Sequence, residues 1–286
     1  MIATVNYHLI KACNYQCQYC YATFNDIREK PLSLSEQIKL ISLLAKSKYF
    51  KKINFAGGEP LLVAHLPKLI KVAKEEGFKE TSVVTNGSRL TKEWIYSVKD
   101  YLDILAISID SVSEGTNIKI GRKERGSEGK TLDLDKIIKI SELCHAFNIH
   151  LKVNTVVNAF NKRETLTDVI NKIKPFRWKV LQATKIEGQN DENYSKIAVT
   201  NQEFEEFCQR NKKYLRADID LITEPSEIIQ GSYLMIDFVG RFYDSSCGKH
   251  RYSDKILKVG VENAIEQVNV DADKFCLRGG DYRVKD

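Results

Sequence analysis

A regular alternation of strand-like and helix-like segments constrains the fold more than any other feature of this sequence. Short runs rich in β-branched and aromatic residues occur at 4–10, 52–56, 82–86, 103–110, 150–157 and 177–183. Between them, apolar residues recur at helical spacing. After a capping Ser33 or Ser35, for example, come Ile38, Ile41 and Leu44. A strand followed by a helix, repeated about six times, predicts a parallel sheet with helical crossovers.

The predicted strands are apolar on one face only. Successive side chains of a strand point to opposite faces. In at least four strands the second face is polar, and its members are Asn6, His8, Ser108, Asp110, Lys152, Asn154, Arg177 and Lys179. Strands between two helical layers should be apolar on both faces. The pattern therefore favours a curved sheet with helices outside and a polar, occupied lumen inside, and the alternative is an open sheet with one solvated face.

The alternation stops near residue 200. The later residues predict a helix near 201–214, a strand pair around 232–244 and a last helix near 260–267. We therefore expect two domains, an α/β core over residues 1–200 and an α+β extension over residues 201–286. A length of 286 residues accommodates one barrel-type domain with appended segments.

Composition excludes several classes of protein. A hydrophobic fraction of 43% with 29% charged residues excludes a disordered chain. No apolar run reaches the length of a membrane span, and the first residues lack a signal-peptide layout, so we expect a cytoplasmic protein. The net charge of +6 is modest for a nucleic-acid binder, and it suits a small anionic ligand equally well.

Three of the seven cysteines cluster just after the first strand, at Cys13, Cys17 and Cys20. Barrel active sites gather at this end of the strands, and a clustered trio in a reducing compartment indicates metal binding or catalysis. Three thiolates leave one coordination position open on an iron–sulfur cluster. The alternative is a zinc site that borrows His8 or Cys247 as its fourth ligand.

The Cys-x3-Cys-x2-Cys spacing, with Tyr19 before the last cysteine, resembles the signature of the radical S-adenosylmethionine (SAM) superfamily. Its companions "GGEP" (57–60), "TNGS" (85–88) and "SID" (108–110) follow three successive strands. The resemblance implies a partial (β/α)6 barrel of the radical SAM type, a 4Fe–4S cluster on Cys13, Cys17 and Cys20, and SAM at the open iron. It also implies SAM-binding roles for Tyr19, Gly57, Gly58, Glu59, Asn86, Ser108, Asp110 and Asn154.

A closer resemblance covers most of the chain. The runs "VNYH", "CNYQCQYC", "INFAGGEP", "IGR", "RWKV", "IEG", "SYL" and "RGG" are similar to those of viperins, which are antiviral radical SAM enzymes. The resemblance implies conversion of a nucleoside triphosphate, CTP first and UTP or GTP next, to its 3′-deoxy-3′,4′-didehydro form. A 5′-deoxyadenosyl radical would abstract the C4′ hydrogen, the 3′-hydroxyl would leave, and the product would terminate polymerase chains.

Residue roles follow from this resemblance together with the polar face. A triphosphate needs converging cations, and the polar face supplies Lys152, Arg177 and Lys179. Viperins add Asn6, Arg122 and Arg278 as substrate-binding positions, with the C-terminal extension closing over the nucleotide. The basic loop 248–255 offers Lys249, Arg251 and Lys255, of which Lys249 is taken as substrate-binding. Tyr233, with Lys152, is the candidate catalytic residue, as a proton donor at the sugar.

Departures from viperins and competing functions complete the expectations. Ala56 stands where vertebrate viperins have serine, and residues 181–190 differ near the base, which leaves the nucleobase open. We expect no membrane anchor. We expect a monomer that receives its electrons from flavodoxin or ferredoxin. One alternative is a radical SAM enzyme that modifies a peptide or RNA, although Cys144, Cys208, Cys247 and Cys276 are too scattered for auxiliary clusters. The other is a zinc-stabilised, basic RNA-binding protein.

Overall fold

The computed structural model describes residues 3–47, 49–126, 129–280 and 282. Within them, ten strands form one sheet. The strands are β1 (Thr4–His8), β2 (Lys52–Ala56), β3 (Glu80–Thr85), β4 (Ile104–Ser108), β5 (His150–Val157), β6 (Arg177–Gln182), β7 (Asp220–Glu224), β8 (Met235–Ile236), β9 (Arg241–Asp244) and β10 (Arg251–Lys255). The helices are α1 (Leu34–Lys46), α2 (Leu66–Glu75), α3 (Lys92–Val98), α4 (Glu114–Ile120), α5 (Leu134–Ala146), α6 (Thr167–Ile173), α7 (Asp191–Ile197), α8 (Asn201–Lys212), α9 (Ser226–Ile229), α10 (Ile256–Val259), α11 (Val261–Ile265) and α12 (Ala272–Leu277).

The sheet is mostly parallel, in the order β10-β9-β8-β1-β2-β3-β4-β5-β6-β7. Neighbours from β1 to β7 run parallel with helices between them, as the alternation predicted. β8 also lies parallel to β1, whereas β9 and β10 add antiparallel strands at that edge. The predicted α/β fold is confirmed, and so is the strand pair near 232–244.

One expectation about the sheet was wrong. The alternation does not stop near residue 200, because α8 leads into β7, which pairs parallel with β6. β7 is an edge strand, "DLITE", with one buried residue at its end, so it lacks the apolar run by which buried strands are recognised. The division into two domains at residue 200 stays a prediction.

The hydrophobic core lies between the apolar face of the sheet and the helices. Side chains that share this strand face, among them Val5, Leu105, Val153 and Trp178, are fully buried. α1 packs here through Leu40, Ile41 and Leu44, and its first turn is fixed by a capping box between Ser33 and Glu36. Burial of each such side chain contributes about 1.5–3 kcal/mol to the stability of the fold. The polar face of the sheet takes no part in this core and is available for other chemistry. In the described residues, no helix has the length and apolar character needed to span a membrane.

Candidate active site

The three clustered cysteines lie on the loop that leaves β1. All three thiols are free and half-buried. Two neighbouring segments hold the loop through backbone hydrogen bonds. Gln16 N–H donates to the Gly121 carbonyl at 3.0 Å, and Glu59 N–H donates to the Ala12 carbonyl at 2.9 Å. The end of β2 and the end of α4 therefore fix the position of the thiols.

Both contacts require glycine. A Cβ atom on Gly58 would lie 2.1 Å from the Ala12 carbonyl oxygen, and one on Gly121 would lie 2.1 Å from that of Gln16. Gly121 also ends α4 with a φ of +86°, in the left-handed region that favours glycine. The "GGEP" and "IGR" segments thus approach the cysteine loop more closely than any side chain would permit.

The thiols fit a cluster held by three thiolates. Burial raises the pKa of Cys17 to about 12 and that of Cys20 to about 11, so the free thiols stay protonated until iron displaces their protons. The Tyr15 N–H donates to Cys13 Sγ at 3.4 Å, and the Ala22 N–H donates to Cys20. Hydrogen bonds of this kind to sulfur tune iron–sulfur clusters.

A single-metal site is not built around these thiols. In the part of the chain that the structure describes, no three His, Cys, Asp or Glu side chains converge on one metal position. His8, one suggested fourth ligand, has its ring packed edge-on against Phe24 and Tyr243. Cys247 is exposed in the turn after β9.

Glu59 joins the ends of β2 and β3 beside the cysteine loop. Its buried carboxylate accepts hydrogen bonds from Thr85 Oγ1 at 2.6 Å and from the Asn86 N–H at 2.8 Å. Burial raises its pKa, and these donors oppose that effect. Asn86 in turn donates to Asn14 Oδ1 at 2.9 Å, and its amide lies 3.9 Å from Cys13 Sγ. The predicted SAM-binding motifs "GGEP" and "TNGS" therefore both reach the cysteine loop. The Glu59 carboxylate already accepts hydrogen bonds from protein donors.

A second buried group forms at the end of β4. Arg122 pairs with Asp110 at 3.2 Å, donates to the Ser108 carbonyl at 2.7 Å and donates to Tyr19 Oη at 3.1 Å. Tyr19 also donates to Asp110. The predicted SAM-binding residues Tyr19, Ser108 and Asp110 thus meet at the cysteine loop. Arg122, predicted at the triphosphate, joins them here, with both guanidinium NH2 groups bound by protein.

Five buried cations converge on the polar face of the sheet. The sequence predicted four of them, Lys152, Arg177, Lys179 and Arg278, and the structure adds Lys52 from the start of β2. We call these five residues and the space between them the basic lumen. Burial, together with Lys179 and Lys52, holds the pKa of Lys152 well below its usual range. Burial likewise lowers the pKa of Lys179 to about 8. Concentrated charge of this kind is suited to a polyanion.

The basic lumen contains one buried carboxylate that the sequence analysis missed, Glu224 at the end of β7. Lys179 Nζ lies 2.5 Å from Glu224 Oε1, and Arg278 lies 3.5 Å from the same atom. The candidate catalytic Tyr233 donates its phenol proton to Glu224 Oε2 at 2.5 Å. Burial raises the pKa of Tyr233 well above its usual range, so its phenol is neutral. No pattern in β7 marked Glu224, because that strand itself was not recognised.

The remaining predicted positions divide between the lumen and the exterior. Asn6 bridges β2 and β8, since it accepts from Asn54 at 2.8 Å and donates to the Leu234 carbonyl at 3.0 Å. No donor among the described residues reaches the buried Asn154 Oδ1, as expected of an oxygen that binds a ligand. Lys249 is exposed, and its backbone pairs with that of Glu187 in an isolated β-bridge.

The chain is similar to known proteins along most of its length. The Radical SAM superfamily profile matches residues 7–198. An S-adenosylmethionine-dependent nucleotide dehydratase of Flammeovirga pacifica is 36% identical over all of this chain and 97% of its own length. The chain belongs to the S-adenosylmethionine-dependent nucleotide dehydratases of the radical SAM superfamily. It is therefore a radical SAM enzyme, with a 4Fe–4S cluster and SAM as its cofactors.

Other members of the family and solved structures agree. The nucleotide dehydratase of Lacinutrix mariniflava is 43% identical over 98% of this chain, which spans 58% of that protein. The nucleotide dehydratase RSAD2 of Danio rerio is 36% identical over 98% of this chain and 77% of its own length. The resemblance to viperins is confirmed. Native anSMEcpe with bound AdoMet superposes with a TM-score of 0.67 at 13% identity, over 98% of this chain and 84% of that one. That likeness confirms the radical SAM partial barrel.

Proposed function

We propose that this enzyme dehydrates a nucleoside triphosphate to its 3′-deoxy-3′,4′-didehydro form, with CTP as the first candidate and UTP or GTP next. The observation that carries the proposal is the basic lumen, whose five buried cations share the sheet with the cysteine loop. The names of the relatives in Flammeovirga pacifica and Danio rerio supply the reaction class. Carboxylates of Glu80, Asp220 and Glu224 pair with four of these cations, whereas Lys152 has no carboxylate within 4 Å among the described residues. A buried lysine without a counter-charge is costly unless an anion binds beside it.

The residues divide the work along the strands. Cys13, Cys17 and Cys20 would hold the cluster, and the ends of β2, β3 and β4 would hold SAM. When bound, the cluster and SAM supply the radical that removes the ribose C4′ hydrogen. Lys152 and Lys179 would bind the phosphates and so fix the depth of the sugar, which is catalysis by positioning. Tyr233 would donate a proton to the departing 3′-hydroxyl.

The wider biological role follows from the product. A nucleotide without a 3′-hydroxyl cannot be extended by a polymerase, so we propose antiviral chain termination as the outcome. One further electron per turnover would come from a flavodoxin or ferredoxin, whose acidic surface complements a chain of net charge +6. We propose a single chain as the working unit, with the extension over residues 201–286 closing over the nucleotide through Tyr233 and Arg278.

Anaerobic turnover tests the proposal directly. The reconstituted enzyme would receive SAM, dithionite and one of CTP, UTP, GTP or ATP, and mass spectrometry would follow 5′-deoxyadenosine and the nucleotide. We expect one nucleotide to accelerate 5′-deoxyadenosine formation and to appear lighter by one water. Slow 5′-deoxyadenosine formation that no nucleotide accelerates, with no dehydrated product, would contradict the nucleotide assignment and direct the search to peptides or RNA.

A further inference from the structure

Glu224 places a negative charge among cations that suit a polyanion. Its carboxylate is fully buried at the end of β7 and faces the basic lumen. A resident negative charge repels an incoming phosphate chain and competes with it for cations. Anion binding alone would therefore be stronger with a neutral residue at this position, so the carboxylate needs another explanation.

The contacts of Glu224 link phosphate-binding cations to the candidate proton donor. One oxygen, Oε1, lies against Lys179 at 2.5 Å and Arg278 at 3.5 Å. The other, Oε2, accepts the phenol proton of Tyr233 at 2.5 Å. Lys179 also donates to Tyr233 Oη at 3.2 Å, and the Arg278 guanidinium stacks 3.6 Å from the Tyr233 ring centroid. Any movement of the two cations therefore changes the environment of both the carboxylate and the phenol.

The charges around Glu224 decide its protonation. Burial favours the neutral acid, but Lys179 and Arg278 outweigh burial and hold the pKa of Glu224 below its usual value in the free protein. Lys152 from β5 and Tyr21 from the segment after Cys20 also face it. If a polyphosphate draws the two cations away and adds its own negative charge, burial dominates and the carboxylate gains a proton.

We propose that Glu224 is a positioning residue that takes the place of the polyphosphate in the free enzyme, is protonated when the nucleotide displaces it, and returns that proton through Tyr233. This inference rests on the proposed function. In the dehydration the C3′–O bond breaks, the departing oxygen takes a proton from Tyr233 Oη, and Tyr233 regains one from Glu224. One proton leaves with each water, and the reductant named above supplies the electron that completes the C3′–C4′ double bond.

Infrared difference spectroscopy tests the protonation step without turnover. The reconstituted enzyme, without SAM or reductant, would be mixed with inorganic tripolyphosphate, and the carbonyl stretching band of a protonated carboxyl group would be followed. We expect the band to appear in the wild-type enzyme and to be missing in Glu224→Gln. The control is Glu203→Gln, which removes a surface carboxylate of α8 that pairs with Lys162, and it should keep the band.

Binding and turnover of Glu224→Gln provide a second readout. Without the competing charge we expect tripolyphosphate to bind about tenfold more tightly. Product formation at saturating nucleotide should nevertheless fall at least about tenfold, because Tyr233 is no longer resupplied. A folding defect alone would weaken both tripolyphosphate binding and product formation, so it would not give tighter binding together with slower turnover.

Each outcome separates this inference from the proposed function. Tripolyphosphate binding to the wild-type enzyme without the carboxyl band overturns the inference, and so does a Glu224→Gln enzyme with unchanged affinity and rate. The band in the wild-type enzyme together with no dehydrated nucleotide keeps the linkage between anion and proton but overturns the proposed function and the proton's destination. Failure of tripolyphosphate to bind overturns the inference and leaves the proposed function to the turnover assay with nucleotides.

Discussion

Gly58 brings the end of β2 so close to the cysteine loop that only a hydrogen atom separates it from the Ala12 carbonyl. The same approach occurs between Gly121 and Gln16 on the other side of the loop. The thiols are therefore positioned by backbone against backbone, which leaves no flexible side chain to absorb a change. Overpacking at such contacts costs about 1–3 kcal/mol or more.

Gly58→Ala should lose the iron–sulfur cluster. The added methyl group displaces Ala12, and with it the neighbouring Cys13, from the position the cluster requires. The measurement is iron and sulfide content after anaerobic reconstitution, together with the visible absorption of the cluster. Gly115→Ala in α4 is the matched control, because the nearest described atom its new Cβ would meet outside the local backbone is Ser113 Oγ, at 3.8 Å. Full cluster content in Gly58→Ala would contradict the packing argument.

His8 should make the enzyme lose stability in acid. Burial lowers its pKa to about 3, whereas an unfolded histidine titrates near 6.5. Below that pH the unfolded chain binds the extra proton, so the stability is present above about pH 6.5 and is lost as the pH falls toward 3. From pH 7 to pH 5 the loss from His8 is about 2 kcal/mol.

Urea unfolding at pH 7 and pH 5 measures this contribution. The decrease between the two values should be smaller by about that amount in His8→Gln than in the wild-type enzyme. His145→Gln, at an exposed position near the end of α5, should leave the decrease unchanged. An equal decrease in all three proteins would show that His8 does not stay neutral in the folded state.

Some site residues could be predicted from their local spacing in the sequence. Others could be predicted only if the strand that carries them was recognised. The cysteines and the strand-end motifs lie within short runs of sequence, so their residue types alone carried the signal. Lys52, at the first position of β2, alternates with Ile53 and Phe55, so strand parity places it on the polar face and the run 52–56 could have predicted it. Glu224 was missed with the whole of β7.

The strands β5 and β6 show why the basic face was predictable at the level of elements. Alternation placed Lys152 with Asn154 and Arg177 with Lys179, and the parallel register pairs Lys152 with Arg177 and Asn154 with Lys179. Like charges on adjacent strands are destabilising by themselves. Glu224 on the next strand compensates part of that charge, and its position depends on an edge pairing that the sequence pattern does not reveal.

The ring of Tyr282 covers the amino-terminal ends of β2 and β6. Tyr282 lies 3.6 Å from Lys52 Nζ and 3.8 Å from the Arg177 guanidinium carbon, measured to the ring centroid. Desolvated cation–π contacts are worth up to about 2 kcal/mol. Tyr282→Ala should therefore destabilise the enzyme by about 1–2 kcal/mol in urea unfolding.

The control for Tyr282 is an exposed tyrosine that stacks on a single lysine. Tyr214 lies 5.1 Å from Lys213 Nζ and is 66% exposed. Tyr214→Ala should cost about 0.5 kcal/mol or less, because water screens the contact. Equal losses of unfolding free energy in the two variants would mean that the contacts of Tyr282 with the buried cations add no stability.

For the whole molecule, the basic lumen couples anion binding to stability. At about one hundred times its dissociation constant, a ligand of the native state adds about 2.7 kcal/mol. Tripolyphosphate should therefore raise the melting temperature by about 5 °C. Lys179→Met should reduce this shift, whereas Lys68→Met, on the exposed side of α2, should leave it intact. A shift that both variants share would locate the anion outside the lumen.

The pairing of β1 with β8 joins two segments that are far apart in the sequence, next to the cysteine loop. β1, which ends where the cysteine loop begins, has β2 on one side and Met235–Ile236 on the other. At 5–20 residues per second, a ribosome needs roughly 10–45 s to proceed from Cys13 to Ile236. During that interval β1, which leads into the cysteine loop, lacks its β8 neighbour. We therefore expect cluster insertion into the complete sheet only after nearly all of the chain has been synthesised.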